Sequence, residues 1–343
     1  MSPSIDDGVA IPTMSTTDLD GMYYTAAWIL ATGLILLLLW DANCRCSCGS
    51  GILPLEWIYL PVYALAISAD WLQGPYVYAL YAALGLGRTD INVLFVMGFG
   101  TSMLIGPFIG QLADQFGRKQ MILVAYCGAY SLACVTKHID SYWVLALGRF
   151  LGGTATSVLF SCFEAWVVAE HERLKLPRAA LENVLTRQYF INGLAGCTMG
   201  IVAQFAVDLF PMRPLGEVWT GASGWAADMV YIGGESLPFD ASAFCLITAA
   251  LLVTFTWSEN IWYGRNDQSV SSPSVNSISI GAAFKRVACD WRLMTIMVIA
   301  SCTESAMYAF VIEWTPALTT ASYSPPHGVV FSCFMIAYMA GGA

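Results

Sequence analysis

Long apolar runs separated by short polar stretches set the rhythm of this chain from residue 22 onward. A helix crosses the hydrocarbon core of a bilayer with about 17–25 mostly apolar residues. Runs of that kind occur at 22–40, 57–81, 91–112, 120–136, 142–168, 188–208, 241–257, 293–318 and 328–343. They are continuous and lack the roughly ten-residue alternation of barrel strands, so nine membrane helices are predicted. The leader before the first run carries four Asp and no Lys or Arg. A secretory signal needs a basic start, so 22–40 is read as a retained helix.

Composition strengthens this picture. The chain is 57% hydrophobic and 11% charged, against about 25% charged for a soluble domain, and its mean hydropathy is +0.62. Too little polar material remains to cover a folded surface in water; lipid is the expected solvent. With the N-terminus outside, eleven Lys and Arg fall in inner loops (Arg45, Arg118, Lys119, Arg173, Lys175, Arg178, Arg187, Arg265, Lys285, Arg286 and Arg292) and three in outer ones (Arg88, Lys137 and Arg213). That is the positive-inside bias. The net charge of −9 carries little topological weight. The eleven Cys are scattered, with no disulfide scaffold in view. Cys44, Cys46 and Cys48 cluster just past the first span, on its inner side, and palmitoylation, metal binding and plain loop cysteines stay open as readings.

Two loops are long: 209–240 outside, rich in Gly and Trp and expected to form a small cap, and 258–292 inside, with a Ser-rich stretch. After the second come two further spans, and the chain ends in "MAGGA" without a polar tail; a truncated product, splice form or incomplete gene product is expected. A weak internal echo links "SADWLQGPYVYAL" around Asp70 with "TESAMYAFVIEW" around Glu304. Each places a carboxylate near mid-membrane, where carriers built from repeated bundles put their substrate.

The stretch "GQLADQFGRKQ" (110–120) packs Asp114, Arg118 and Lys119 between Gly110 and Gly117 in a chain that otherwise avoids charge. It reads as a tight inner turn. The glycines allow close packing, the cations hold the turn inside, and Asp114 pairs with a neighbouring base or caps a helix. Its pattern, G-x-L-A-D-x-x-G-R-K, resembles the signature of the major facilitator superfamily. "LGRFLGGTATS" places Arg149 four residues before Gly153 and resembles that superfamily's second motif. "ADWLQGPYVYALY", the segment 136–171, "ESAMYAFVIEWTPAL" and "VVFSCFM" narrow the resemblance to its molybdate-anion transporter branch.

The resemblance implies an all-α polytopic membrane protein of major facilitator type. Its parts would be an outer tail (1–21), an extra helix (22–40), a first six-helix bundle (57–257), an inner loop (258–292) and an incomplete second bundle of two helices (293–343). It further implies uptake of molybdate or a similar tetrahedral oxyanion by alternating access, in the cell membrane. The family motif bears a basic residue after its Asp, where this chain has Gln115; one gate contact is therefore expected to be missing.

Ionisable residues inside spans are costly and default to functional candidates. Asp70, with Gln73 on the same face, and Glu304 are read as substrate- or proton-binding groups. Arg149 is read as the donor fork for the oxyanion. Gly110, Asp114, Gly117, Arg118 and Lys119 form the cytoplasmic gate motif. Gly153, Ser157, Glu164 and Asn192 are secondary candidates: Arg149, Gly153, Ser157, Phe160 and Glu164 fall along one helical stripe. Glu164 is expected to meet a loop cation, and Glu313 to meet water or headgroups. Gln188 and Asn192 either line a cavity or join helices. No nucleophile elbow, phosphate loop or zinc pattern occurs, so the expected partners are the oxyanion, protons and lipid, with no cofactor, metal or nucleic acid. Other readings are a non-transporting sensor derived from a carrier, an inactive carrier fragment and, without a catalytic constellation, a membrane enzyme.

Overall fold

In lipid every backbone polar group needs an internal partner, which leaves helices or closed barrels; this chain is helical almost throughout. The computed structural model describes residues 16–45, 54–219, 229–259, 288–320 and 323–342, with 224, 227 and 285 as isolated positions. Cys46, Cys48 and most of the inner loop lie outside the described residues, as does the side chain of Cys44.

The first helix is α1 (Thr16–Arg45). The next passage is α2 (Pro54–Gln73), broken at Gly74–Pro75 by a 3₁₀ turn before α3 (Val77–Ala83). Helix α4 spans Arg88–Phe116. The following passage joins α5 (Arg118–Met121), a π-helical stretch Ile122–Gly128 and α6 (Ala129–Thr136). Then come α7 (Tyr142–Arg173), α8 (Arg178–Leu209), a short α9 (Leu215–Val218) and α10 (Leu237–Thr256). The last two are α11 (Trp291–Leu318) and α12 (His327–Gly342). Among the described residues, five stretches are long and apolar enough to cross a membrane as single elements: Arg88–Phe116, Tyr142–Arg173, Arg178–Leu209, Gly234–Thr256 and Trp291–Leu318. The passages around 57–81 and 120–136 are instead divided by their 3₁₀ and π segments.

Six passages, from Pro54 to Thr256, share one core. Helix α4 lies along α7, α2 sits between α8 and α10, and α6 packs on α7 and α10. Tyr59, Tyr126, Phe163, Trp166 and Phe239 are fully buried in this core. Outside it, α12 lies against α8, where Gly200 and Gly328 bring the two backbones together: a Cβ on Gly328 would sit 2.2 Å from the Gly200 carbonyl oxygen. Helix α1 in turn packs on α12. Helix α11 leans on the rest only near its far end, through Phe99–Tyr308 stacking, Trp314 and an Arg88–Glu313 ion pair. Glu313 thus meets a cation, a partner beyond the water or headgroups expected for it. From 291 to 310 every residue of α11 is exposed, and such an all-round apolar surface suits lipid or another helix, not water.

The two ends of the bundle differ. One, the basic end, holds the turns at 117 and 174–177. The other carries a small cap in which Arg213–Pro214 (β1) pairs antiparallel with Tyr231–Ile232 (β2). The cap docks on the turn after α6, where the Tyr231 amide donates to the His138 carbonyl at 2.7 Å and the Asp140 amide to Met229 at 2.8 Å. His138 clamps it. Its Nδ1 faces the Tyr231 carbonyl oxygen and its Nε2 faces Asp240 Oδ1, each at 2.9 Å. Two acceptors need two N–H donors, which only the imidazolium supplies. Burial opposes that charge, but the Asp240 hydrogen bond and charge outweigh it and raise the pKa of His138. A raised histidine pKa stabilises below the ordinary value of about 6.5 and loses its effect as pH climbs through the raised one. The melting temperature in detergent is therefore expected to fall across that window, and the His138→Gln variant to lack the pH-dependent step.

Candidate functional site

Helix α4 crosses α7 closely, and small residues make the contact. A Cβ on Gly153 would lie 2.3 Å from the Gly98 carbonyl oxygen and 3.0 Å from Thr101 Cβ. One turn toward the basic end, Ser157 Oγ meets Ser102 Oγ at 2.9 Å and the Ser102 carbonyl at 3.1 Å. One turn the other way, Arg149 lies across the bare backbone of Gly98; a Cβ there would sit 3.1–3.2 Å from its Nε, Cζ and Nη2. The guanidinium rests 4.5 Å above the Phe95 ring and 5.9 Å from Phe99, and Nε donates to the Leu94 carbonyl at 3.2 Å. Gly153 and Ser157 thus build the crossing that positions Arg149. Phe160, on the same expected stripe, is exposed.

A second cation lies beside the first. Helix α6 meets α7 at Gly148, where a Cβ would be 2.0 Å from Thr136 Oγ1. That contact carries the next residue, Lys137, into the bundle, where it is 2% exposed. Its Nζ donates to the Tyr81 hydroxyl and lies 4.7 Å from the Tyr81 ring and 5.9 Å from that of Phe239. Tyr81 is also within the field of Arg149. Among the described residues no carboxylate forms a salt bridge with either cation. The sequence reading left Lys137 in a loop. The signal it passed over was a lysine directly abutting an apolar run in "VTKHID".

The acids stand apart from this pair. Asp70 accepts from Tyr130 Oη at 2.6 Å, and Gln73 Nε2 donates to Ser242 Oγ at 2.9 Å. Both therefore face α6 and α10, the inside of the bundle, and the Gln73 amide group is engaged in joining α2 to α10. At 1.5 Å per residue, Asp70 and Glu304 lie roughly 20 Å from the cap-end tips of their passages and Arg149 about 10 Å from its own. Glu304 is exposed on α11, one turn from Tyr308, whose ring stacks 4.2 Å from Phe99. Glu304 thus approaches the Arg149 cluster through two rings, while Asp70 sits inside the bundle. A cavity of ≈300 Å³ at the cap end, between α1, α8 and α12, is lined by Asp20, Asp208 and Glu235; its negative wall suits no anion.

The remaining polar candidates join helices. Gln188 Oε1 accepts from Tyr59 Oη at 2.6 Å and its Nε2 donates to Glu164 at 2.9 Å. Glu164 thus meets an amide of α8, correcting the expectation of a loop cation. Asn192 Oδ1 accepts from Trp71 Nε1 at 2.8 Å. Gln188 and Asn192 thus both make bonds that join helices.

At the basic end the 110–120 turn is tied to the end of α10. Gly117 takes φ +98°, a conformation side chains resist. Lys119 Nζ donates to the Thr254 and Trp257 carbonyls at 2.9 and 2.7 Å, satisfying terminal helix acceptors. The Lys119 amide donates to Glu259 Oε1 at 3.1 Å. Arg118 is buried and donates to Asp114 at 3.1 Å, leaving its Nε without a partner. Gly110 differs from the expectation of close packing: nothing lies within 4 Å of a Cβ placed there. Glu259 was not anticipated, since it lies some 140 residues from the turn it caps.

Bundled apolar helices and small-residue crossings define a polytopic membrane protein, in which a half-buried Arg149 and a buried Lys137 stand side by side. Over residues 22–343 the chain matches the major facilitator family MFS_5, described as sugar transporters with 12 transmembrane segments, and it belongs to that family. It is 32% identical over 300 residues to the molybdate-anion transporter of Danio rerio, covering 83% of this chain and 57% of that protein. The corresponding proteins of Xenopus laevis and Takifugu rubripes are 31% and 29% identical, over 84% and 82% of this chain and 57% of each. The chain thus spans little more than half the length of these relatives.

Overpacking a tight crossing costs about 1–3 kcal/mol, whereas Gly→Ala in an open helix position gains up to about 1 kcal/mol. Gly153→Ala is therefore expected to lower the melting temperature in detergent, and Gly110→Ala to leave it unchanged or raise it.

Proposed function

We propose that this chain supplies the first bundle, and part of the second, of an alternating-access carrier for a tetrahedral oxyanion of the molybdate class. The observation that carries this reading is Arg149: a half-buried guanidinium on an apolar helix crossing that, among the described residues, no carboxylate salt-bridges. Arg offers a rigid fork of donors matched to oxyanion edges, and a permanent buried carboxylate partner would compete with a passing anion. The names of the relatives support the same substrate class. Asp70 and Glu304 serve as proton-binding groups. Glu304 stands one turn from Tyr308, and Asp70 is hydrogen-bonded by Tyr130. Gln73, Ser157, Glu164 and Asn192 set the helix packing around the route.

At the basic end Gly117, Arg118 and Lys119 hold the first bundle's gate turn, while Asp114, with a side chain 58% exposed, and the open face at Gly110 are available to helices of the second bundle. The protein is placed in the cell membrane, and the distribution of Lys and Arg supports an outer N-terminus. Rocking of one bundle against the other exposes the site to each side in turn.

The test is uptake of labelled molybdate into cells expressing the protein. Arg149→Ala is expected to lower it about tenfold or more, because a hydrogen bond to a charged group contributes about 1.5–3 kcal/mol and each 1.4 kcal/mol is about tenfold. Surface expression is measured alongside. Undiminished uptake by Arg149→Ala at normal surface levels would remove Arg149 from the site and leave the reading without its main support.

A further inference from the structure

A lysine at the end of a membrane helix ordinarily extends its chain to put the ammonium in water or among headgroups. Lys137 does the reverse. It ends α6 at the cap end, where water is near, yet it folds inward until 2% of it is exposed. The groups facing it come from four elements: Tyr81 from α3, Cys134 from α6, Arg149 from α7 and Phe239 from α10. The acid next along, Asp240, is turned to His138. Lys137 therefore has a neutral phenol as its hydrogen-bond partner and another cation as its nearest charge. Burial, then the Arg149 charge, hold its ammonium well below the ordinary lysine range.

Such a cluster has a net positive character, and among the described residues no carboxylate forms a salt bridge with it. We infer that Lys137 is the second cationic arm of the oxyanion site whose first arm is Arg149, with the Tyr81 hydroxyl as a third donor between them. This rests on the carrier reading above and adds a charge requirement to it: two arms match a dianion such as molybdate or sulfate, whereas a monoanion balances only one. It also supplies a proton step. A neutral Lys137 Nζ accepts one proton as the dianion arrives, because the incoming charge favours the ammonium, and returns it when the anion leaves. One proton then accompanies each dianion, with no acid required at the contact itself.

The experiment is calorimetric titration of the purified full-length protein with sodium molybdate near neutral pH, in two buffers of different ionisation enthalpy. The wild type is expected to take up about one proton per molybdate bound. Lys137→Gln should bind more than about tenfold more weakly and take up none. Lys137→Arg keeps the charge without the titration, and should bind with affinity close to wild type but without proton uptake. Wild-type binding without proton uptake overturns the inference, as does proton uptake that persists in Lys137→Arg; the carrier reading survives both. If neither molybdate nor sulfate binds the wild type at any pH, both readings fall together.

Discussion

The approach of α4 to α7 through Gly98 and Gly153 is the constraint on which the rest of the first bundle depends. With no side chain at either position the backbones nearly touch, and the long side chain of Arg149, one turn away, has a glycine surface to lie across. Burial of a guanidinium is expensive in an apolar medium. Here it is offset by one carbonyl, two aromatic faces and a phenol, none of which carries a negative charge. The second close approach, Gly148 to Thr136, does the same for Lys137. Two tight helix contacts therefore concentrate positive charge in one place, and the anion-handling reading follows from that.

Elsewhere the bundle spends its polar groups on joining helices. Tyr59, Gln188 and Glu164 link α2, α8 and α7; Trp71 and Asn192 repeat the link nearer the cap; Gln73 and Ser242 close α2 onto α10. At the basic end Lys119 and Glu259 pin the turn after α4 to the end of α10. These contacts are satisfied in pairs, as polar groups in a low dielectric must be. The contrast isolates the Arg149–Lys137 pair.

Much of this was legible in the sequence. Among the described residues helix occupies each apolar run that hydropathy marked, and five of these helices are long and apolar enough to cross a membrane. The 110–120 turn and the Arg149–Gly153 spacing were visible as local patterns, since each is made by residues within one turn of helix. Lys137 was not, because counting cations by loop assigns a lysine at a helix end to water. Its burial depends on Gly148, Tyr81 and Phe239, none of which is near it in sequence. The same holds for Glu259 at the gate turn and for Gln188 as the partner of Glu164. Gly110 shows the opposite case: the motif announces close packing, yet within this chain nothing packs there.

The unmatched charge beside Phe99 is tested most directly by giving it a tethered partner. In Phe99→Glu a carboxylate would stand where a ring now lies 5.9 Å from the Arg149 guanidinium. Thermal melting of the full-length protein, with and without molybdate, reads the outcome through ligand-linked stabilisation. The expected result is a variant that melts no lower than wild type and that molybdate no longer stabilises. A variant stabilised by molybdate as much as wild type would contradict the claim that the anion balances this pair of cations.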